Sequence, residues 1–554
     1  MSQRSRKYHL LGFSAITALV LLWGCANMVT PTGGAKDITP PNVVEAVPEN
    51  QSINFHGDKI EITFDEFVTL DNANQNVLFS PPLSEKPDIK LKNKTVVIKF
   101  KEPLKENTTY TINFGNAVKD FHEGNLFKDY LYSFSTGEVL DTMRVSGKVL
   151  DAESKKPVNE IMVGLYGRRI TNAAKLDSLF ERPLRMAPDF ITKTDKEGRF
   201  SLCGLPDQEF LVFALNDMNT NLYYDMPNET VAFLDSLVPA CDSLTLYAFT
   251  ELDTTQMLLE KKLVEEGLLR FSFRQPADEV SITIHEPVND SFQYVKVWSA
   301  AHDTLLIYFT PNVIDSLRIS LHYDTIINDD TRHYLKYRDA RQRPTASPKL
   351  KISNNLKNNL LMPEEDFTLT FSEPVVKIQW HDTSTMKIGN NIRHEAMDFE
   401  KADDYGMVYR LKLPSLDTLS CAINITDSVF YSVRGRTNDS LHYQFKRATE
   451  KDIGNIYLTV VPPDQTQLVI QLLNARGAVV DTAIITEEQR VEFHRLLPEK
   501  YKLKAIIDND RNGKWSTGNY HRGFLPETVV DYKDELDLKP GWDIDLDDKW
   551  IIKR

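Results

Sequence analysis

The chain has 554 residues, with 65 Lys+Arg against 79 Asp+Glu and a formal net charge of −14. At roughly 150 residues per domain the length predicts several domains, and 41% hydrophobic residues can fill their cores, which excludes global disorder. The acidic balance speaks against a nucleic-acid binder, which needs a basic face to neutralise phosphates, and 4 cysteines exclude a disulfide scaffold.

At the start of the chain, Arg4, Arg6 and Lys7 precede an uncharged apolar stretch from Leu10 to Leu22. That stretch is short for a bilayer span, which takes about 20 apolar residues, and has the length of a signal h-region. Leu22-Trp23-Gly24-Cys25 follows and resembles a bacterial lipobox, with Trp23 where a small residue is usual. The resemblance implies a lipoprotein signal peptide over 1–24, Cys25 as the lipid attachment site and the membrane as a partner. An uncleaved anchor or an ordinary secretory signal is the alternative. Residues 25–38 are rich in Pro, Gly and Thr and read as a flexible tether. The acidic run that often follows the Cys in surface-exported lipoproteins of Bacteroidetes-type bacteria is missing. That pattern points to the periplasmic face of the outer membrane.

Behind the tether, short runs alternate with period two: Lys59 to Phe64, Thr95 to Phe100 and Thr109 to Phe114. Each is rich in β-branched and aromatic residues and bounded by turn formers, which indicates strands of small sandwiches. Several of these runs recur. Lys59 to Glu66 aligns with Asp366 to Glu373 through Phe64 and Phe371, and Tyr132-Ser133-Phe134 aligns with Tyr443-Gln444-Phe445. Arg144 to Val149 falls on Asn455 to Val460, and Phe210 to Asp217 resembles Tyr501 to Asp508. The order is kept, with a longer insert in the first copy over 168–190. This predicts an internal duplication, with units A (39–140), B (141–250), C (251–345), A′ (346–450) and B′ (451–554).

Ile62-Thr63-Phe64-Asp65-Glu66, Leu104 to Tyr110 and Tyr132 to Gly137 resemble the bacterial Ig-like domain of the SbsA/Big type. A′ keeps Phe371-Ser372-Glu373-Pro374 of that pattern. Val145 to Val149, Thr194 to Phe200 and Leu205-Pro206 of B resemble carboxypeptidase-regulatory-like or Cna-B-type modules, which are prealbumin-like sandwiches. The resemblances imply spacer and interaction modules without catalysis. The expected fold class is therefore all-β: a tandem array of small antiparallel β-sandwich domains, Ig-like and prealbumin-like, after a lipoprotein signal peptide.

Candidate sites are few. Asp508, Asp510 and Asn512 place side-chain oxygens at alternate positions before Gly513, which copies the first half of a calcium loop. Asn519 stands where such a loop carries Glu, and only the more distant Glu527 could close the shell. The same place in B reads Asp217, Asn219, Asn221, Asp225 and Glu229. An Asx-rich hairpin explains both loops with Ca²⁺ as the alternative, since a carboxylate-poor loop binds Ca²⁺ weakly. Cys203 and Cys241 share B and could pair in an oxidising periplasm, whereas Cys421 reads as a buried thiol. Asp65, Glu66 and Glu373 follow the A-type strands without the pairing a glycosidase needs. Metalloprotease, hydrolase-elbow and phosphate-loop motifs are absent from the sequence. The reading is a non-catalytic envelope scaffold, extended as serial sandwiches, with an envelope protein or a glycan as partner. A carbohydrate-binding accessory or glycan-processing protein is the alternative, to be recognised by a concave pocket carrying exposed aromatics and paired acids.

Overall fold

The structure, a computed structural model, describes residues 37–553 except 129, 168–181, 227, 241–242, 279, 286–290, 312–315, 324–326, 335–347, 382, 390, 394–396, 414–419 and 464–465. Among these residues helix is confined to two single turns, Ala73–Asn76 and Arg182–Arg185. No helix of the described residues is long and apolar enough to cross a membrane. The chain is all-β, a tandem array of small sandwiches.

Alternation in sequence becomes alternation in burial. In Lys59–Phe64 the side chains of Ile60, Ile62 and Phe64 point into the core, and those of Lys59, Glu61 and Thr63 point away from it. That strand lies in a sheet ordered Val43–Val47, Lys59–Phe64, Thr95–Lys99, Asp88–Lys92. Facing it are Leu78–Ser80, Thr109–Asn113 and Leu131–Ser135, with a short pair, Val68–Leu70 and Val118–Asp120, at the side. Phe64, Phe114, Phe127, Tyr132 and Phe134 fill the space between.

The same plan recurs from residue 352. Ile352–Asn354, Phe367–Phe371, Val408–Leu411 and Phe399–Lys401 form the first sheet, and Thr385–Ile388, Ser420–Ile425 and Leu441–Arg447 lie in the second. Val375–Ile378 and Phe430–Ser432 form the side pair. Phe64 sits opposite Val43, and Phe371 sits opposite Ile352. Each phenylalanine meets a core phenylalanine edge to face, Phe127 at 4.9 Å and Phe430 at 4.8 Å.

The B-type strands are duplicated as well. Phe190–Lys193, Met162–Gly167, Phe210–Leu215 and Thr230–Phe233 follow in one order, matched by Val479–Ile485, Gln467–Leu473, Lys500–Asp508 and Val529–Asp531. The partner layers are Leu244–Thr250, Met143–Asp151, Arg199–Leu205 and Ile544–Ile551, Gly454–Val461, Gln489–Leu496. In both, the central strand pairs parallel with one neighbour and antiparallel with the other. Each B-type unit thus carries one parallel pair within an otherwise antiparallel fold. C adds two sheets, one of Leu258–Glu265, Leu268–Phe273, Thr304–Phe309 and Tyr294–Trp298, the other of Ser281–His285, Ser316–Tyr323 and Ile327–Tyr334.

End-to-end extension does not survive in the structure. Tyr520 of B′ belongs to the apolar cluster on the outer face of B, with Phe213, Tyr224, Phe233 and Phe249. The chain therefore runs from B through C and A′ and back onto B, because an aromatic face too large to leave in water is covered by a loop of the second copy.

Candidate functional site

The loop after Lys500–Asp508 is built around two buried carboxylates. Asp508 Oδ1 accepts the backbone N–H of Asn512 (3.2 Å), and Oδ2 accepts those of Gly513 (2.9 Å) and the Gln467 side chain (2.7 Å). Glu527, 19 residues on, returns to the same place: Oε1 accepts from Asn509 N (2.6 Å) and Oε2 from Ser516 N (2.9 Å). Asp510 is exposed and held by the Ser516 hydroxyl (2.7 Å), which sets its carboxyl below the usual range. Burial pushes Glu527 up, against the three backbone N–H groups that favour its charge. Gly513 takes a left-handed φ of 77°, which an all-L loop adopts at a steric cost.

One carboxylate oxygen from each of Asp508, Asp510 and Glu527 lies within 4.8 Å of the others, an oxygen-only set that suits a hard cation such as Ca²⁺. Asn512 is oriented otherwise. Its amide nitrogen donates to Asp510 Oδ2 (2.9 Å) and Ser516 Oγ (2.6 Å), while its Oδ1 accepts from Lys514 N (2.8 Å).

The first copy repeats this bonding almost atom for atom. Asp217 accepts from Asn221 N (3.1 Å) and Leu222 N (2.8 Å), as Asp508 does from Asn512 and Gly513. Fully buried Glu229 accepts from Met218 N (3.1 Å) and Asp225 N (3.2 Å), as Glu527 does from Asn509 and Ser516. The outer pair exchanges roles: Asp510 and Ser516 in B′ correspond to Asn219 and Asp225 in B, where Asn219 Nδ2 donates to Asp225 (3.0 Å). Three carboxylates serve each loop, with the exposed one moved across the pair.

The two loops meet. Tyr520 follows the Asp508 turn and sits edge to face on Phe213 and Phe233, both at 4.9 Å, and on Tyr224 at 5.9 Å. Tyr224 comes from the first loop and also stacks on His521. Thr517 Oγ1 donates to Thr250 O (2.8 Å), and a Cβ on Gly518 would meet Phe249 Cζ at 2.6 Å. Burial raises the Tyr520 phenol well above its ordinary value.

A second junction is ionic. Arg434 of A′, its side chain 2% exposed, donates to Glu373 (2.9 Å) and to Glu265 of C (2.7 Å), and its Nε donates to Glu266 O (2.8 Å). Arg436 bridges the same carboxylates at 2.7 and 2.9 Å. Gly267 makes room, since a Cβ there would lie 3.2 Å from the Arg434 side chain. The Arg434 hydrogen bond, with Arg436 beside it, draws Glu265 down to about 2. Glu373, which follows an A-type strand, is a buried member of this network.

Asp65 accepts from Asn42 N (2.9 Å) and is drawn below its ordinary value by that bond. Cys203 is half-buried on Arg199–Leu205, its Sγ 3.5 Å from Ser201 Oγ. Cys241 and Cys25 lie outside the described residues. Cys421 is buried, its thiol pushed up to about 11 by burial. Sequence reasoning missed Arg434, Arg436, Glu265 and Tyr520; their partners are distant along the chain, so no local pattern carries them.

Residues 37–136 match the family of the bacterial Ig-like domain. Comparison with curated proteins gave no match. Among solved structures the chain is similar to the N-terminal part of the bacterial S-layer protein SbsC, at 13% identity over 37% of this chain and 44% of that one, with a TM-score of 0.14. It is similar to the Bacillus anthracis TIE protein, at 9% identity over 94% and 76%, TM-score 0.14. It is similar also to BcpA, the major pilin subunit of Bacillus cereus, at 11% identity over 74% and 99%, TM-score 0.14. The chain spans less than half of the first of these.

Proposed function

We propose that this chain is a non-catalytic lipoprotein of the bacterial cell envelope, a rigid scaffold of Ig-like and prealbumin-like units. Cys25 would carry the lipid and hold the protein to the membrane, on the periplasmic face of the outer membrane. The observation that carries the scaffold reading is the pair of buried junctions. Arg434 locks C to A′ through charge, and Tyr520 locks B′ to B through aromatic packing. Units joined by loose linkers move independently, whereas junctions buried like a domain core hold their surfaces at fixed angles. The scaffold presents such surfaces folded back upon each other rather than strung outward.

The anchor is tested by growing expressing cells in labelled palmitate. Label should enter the wild-type protein and be lost in Cys25→Ser; label that persists in the variant removes the lipoprotein reading. The scaffold is tested by limited proteolysis of the purified chain. Cleavage confined to exposed loops fits a rigid body, and release of separate units defeats it.

A further inference from the structure

The two A-type units end in the same tip. In A, Val68 pairs with Asp120, and Phe121 N donates to Phe67 O (2.9 Å). In A′, Val375 pairs with Ser432, and Val433 N donates to Pro374 O (3.0 Å). Glu66, Phe67, Phe121 and His122 therefore stand in the places of Glu373, Pro374, Val433 and Arg434. In A′ this tip is a joint. Val433 is buried in one cluster with Leu268, Val297 and Tyr308 of C, and Arg434 bonds Glu265.

In A the same tip is bare. Phe67 is 52% exposed and Phe121 62%, and the two lie opposite each other at the end of the short ladder. Ile38, 82% exposed, stands at the same end. Asn125 fixes it there, since its carbonyl accepts from Asp120 N while its Nδ2 donates to Asp37 O (3.0 Å) and Thr39 O (3.2 Å) on either side of Ile38. Single apolar residues on a surface are ordinary. Three large ones gathered where the duplicate has a buried joint mark a surface that something covers. His122 replaces Arg434, so the ion pair of the second joint has no counterpart here, and two phenylalanines enlarge the apolar part instead.

The occupant follows from what precedes each tip along the chain. Unit C precedes A′ and meets its tip. What precedes A is the stretch that carries Cys25, twelve residues before Asp37. Twelve residues span at most about 40 Å. Under the lipid-anchor reading, on which this inference rests, the tip is thus held within reach of the bilayer. The rim of the tip selects among lipids. The charges of Asp120, Asp65, Asp37 and Glu123 all reach Glu66, whereas the cation standing over Phe67 is Lys94, 5.4 Å from the ring. Such a rim is repelled by anionic headgroups and matched by the ammonium groups of zwitterionic ones.

We infer that Ile38, Phe67 and Phe121 form a membrane-docking tip that enters the headgroup layer of a zwitterionic bilayer and sets the angle at which A leaves it. Apolar side chains so placed reach about 5–10 Å into the boundary between headgroups and acyl chains.

The test is fluorescence quenching of the full-length protein reconstituted into vesicles of phosphatidylethanolamine and phosphatidylcholine with brominated acyl chains. Phe121→Trp should add fluorescence that falls at least about twofold relative to unbrominated vesicles. Phe524→Trp, at a position 62% exposed on the B′ loop, should add fluorescence that is not quenched. Phe67→Trp carries the test if Phe121→Trp fails to fold. Equal quenching of the Phe121→Trp and Phe524→Trp variants overturns the inference, as does quenching confined to phosphatidylglycerol vesicles. A wild-type dimer that Phe121→Ser dissociates also overturns it, and assigns the tip to a second copy. Labelled palmitate on the same preparation separates the two readings: label without quenching defeats the docking tip alone, and a chain without label removes the anchor with it.

Discussion

The ring of Tyr520 stands edge to face on that of Phe213, 4.9 Å between centroids, although one residue belongs to the second copy of a duplicated unit and the other to the first. The contact ties the far half of the chain to the near half. It lies directly beside the loop that holds Asp508, Asp510 and Glu527.

Tyr520→Ala removes the plug from a face of Phe213, Tyr224, Phe233 and Phe249. Truncating a buried aromatic costs about 3–5 kcal/mol. Most of that cost should fall on the docking of B′, since the cores of the two units are separate. Small-angle scattering should show a larger maximum dimension for the variant with unchanged β content by circular dichroism. Gly518→Val should do the same, because its side chain would press into Phe249. An unchanged scattering profile in both variants would refute the docking role.

The Arg434 junction is acid-sensitive with a defined sign. Glu265 is drawn from its ordinary 4.5 to about 2, chiefly by its hydrogen bond to Arg434. A depressed carboxylate stabilises the fold above its unfolded value, and that contribution fades as pH falls from about 4.5 toward 2. Arg434→Met should flatten the melting-temperature profile over this window. At neutral pH it should cost about 3 kcal/mol, since buried Glu373 keeps only Arg436 and Ser432 as partners. A profile as steep as that of the wild type would reject the assignment.

Three carboxylates with oxygens within 4.8 Å of one another would repel if all were charged, so a bound cation would stabilise the loop. Calcium at a hundredfold over its dissociation constant is expected to raise the melting temperature by about 5–10 °C. Asp510→Ala should erase the increase. Equal melting in calcium and EDTA would mean that backbone amides alone satisfy the loop.

Buried Cys421, its thiol pushed up to about 11, should resist a disulfide reagent at pH 8 in the native protein and react once the protein is unfolded. Rapid native reaction, measured by mass spectrometry of the labelled peptide, would show that the A′ core opens on its own.

Much of this architecture could be read in the residues. Ile60, Ile62 and Phe64 announce a strand and its buried face, and the kinship of Phe64 with Phe371 carries the duplication because both fill the same register. The Asp508 loop was legible through its alternating oxygens, and Glu527 could be named as the distant acid able to close it. Other features were not legible. Arg434 looks like any surface arginine until Glu373 and Glu265 arrive from other strands. Tyr520, in a polar stretch with Asn519 and His521, suggests a loop tip, and only the apolar face of B explains its burial.

The contact between Phe249 and Gly518 has a bearing on biogenesis. Residues of B emerge from the ribosome long before those of B′, so Phe213, Phe233 and Phe249 spend that interval as an uncovered apolar face. Closing so long a loop is slow, and exposed apolar surface aggregates in the meantime. Folding of this protein should therefore benefit from a holdase that shields the near half until its lid arrives, and overproduction beyond the capacity of such a chaperone should yield insoluble material rather than soluble monomer.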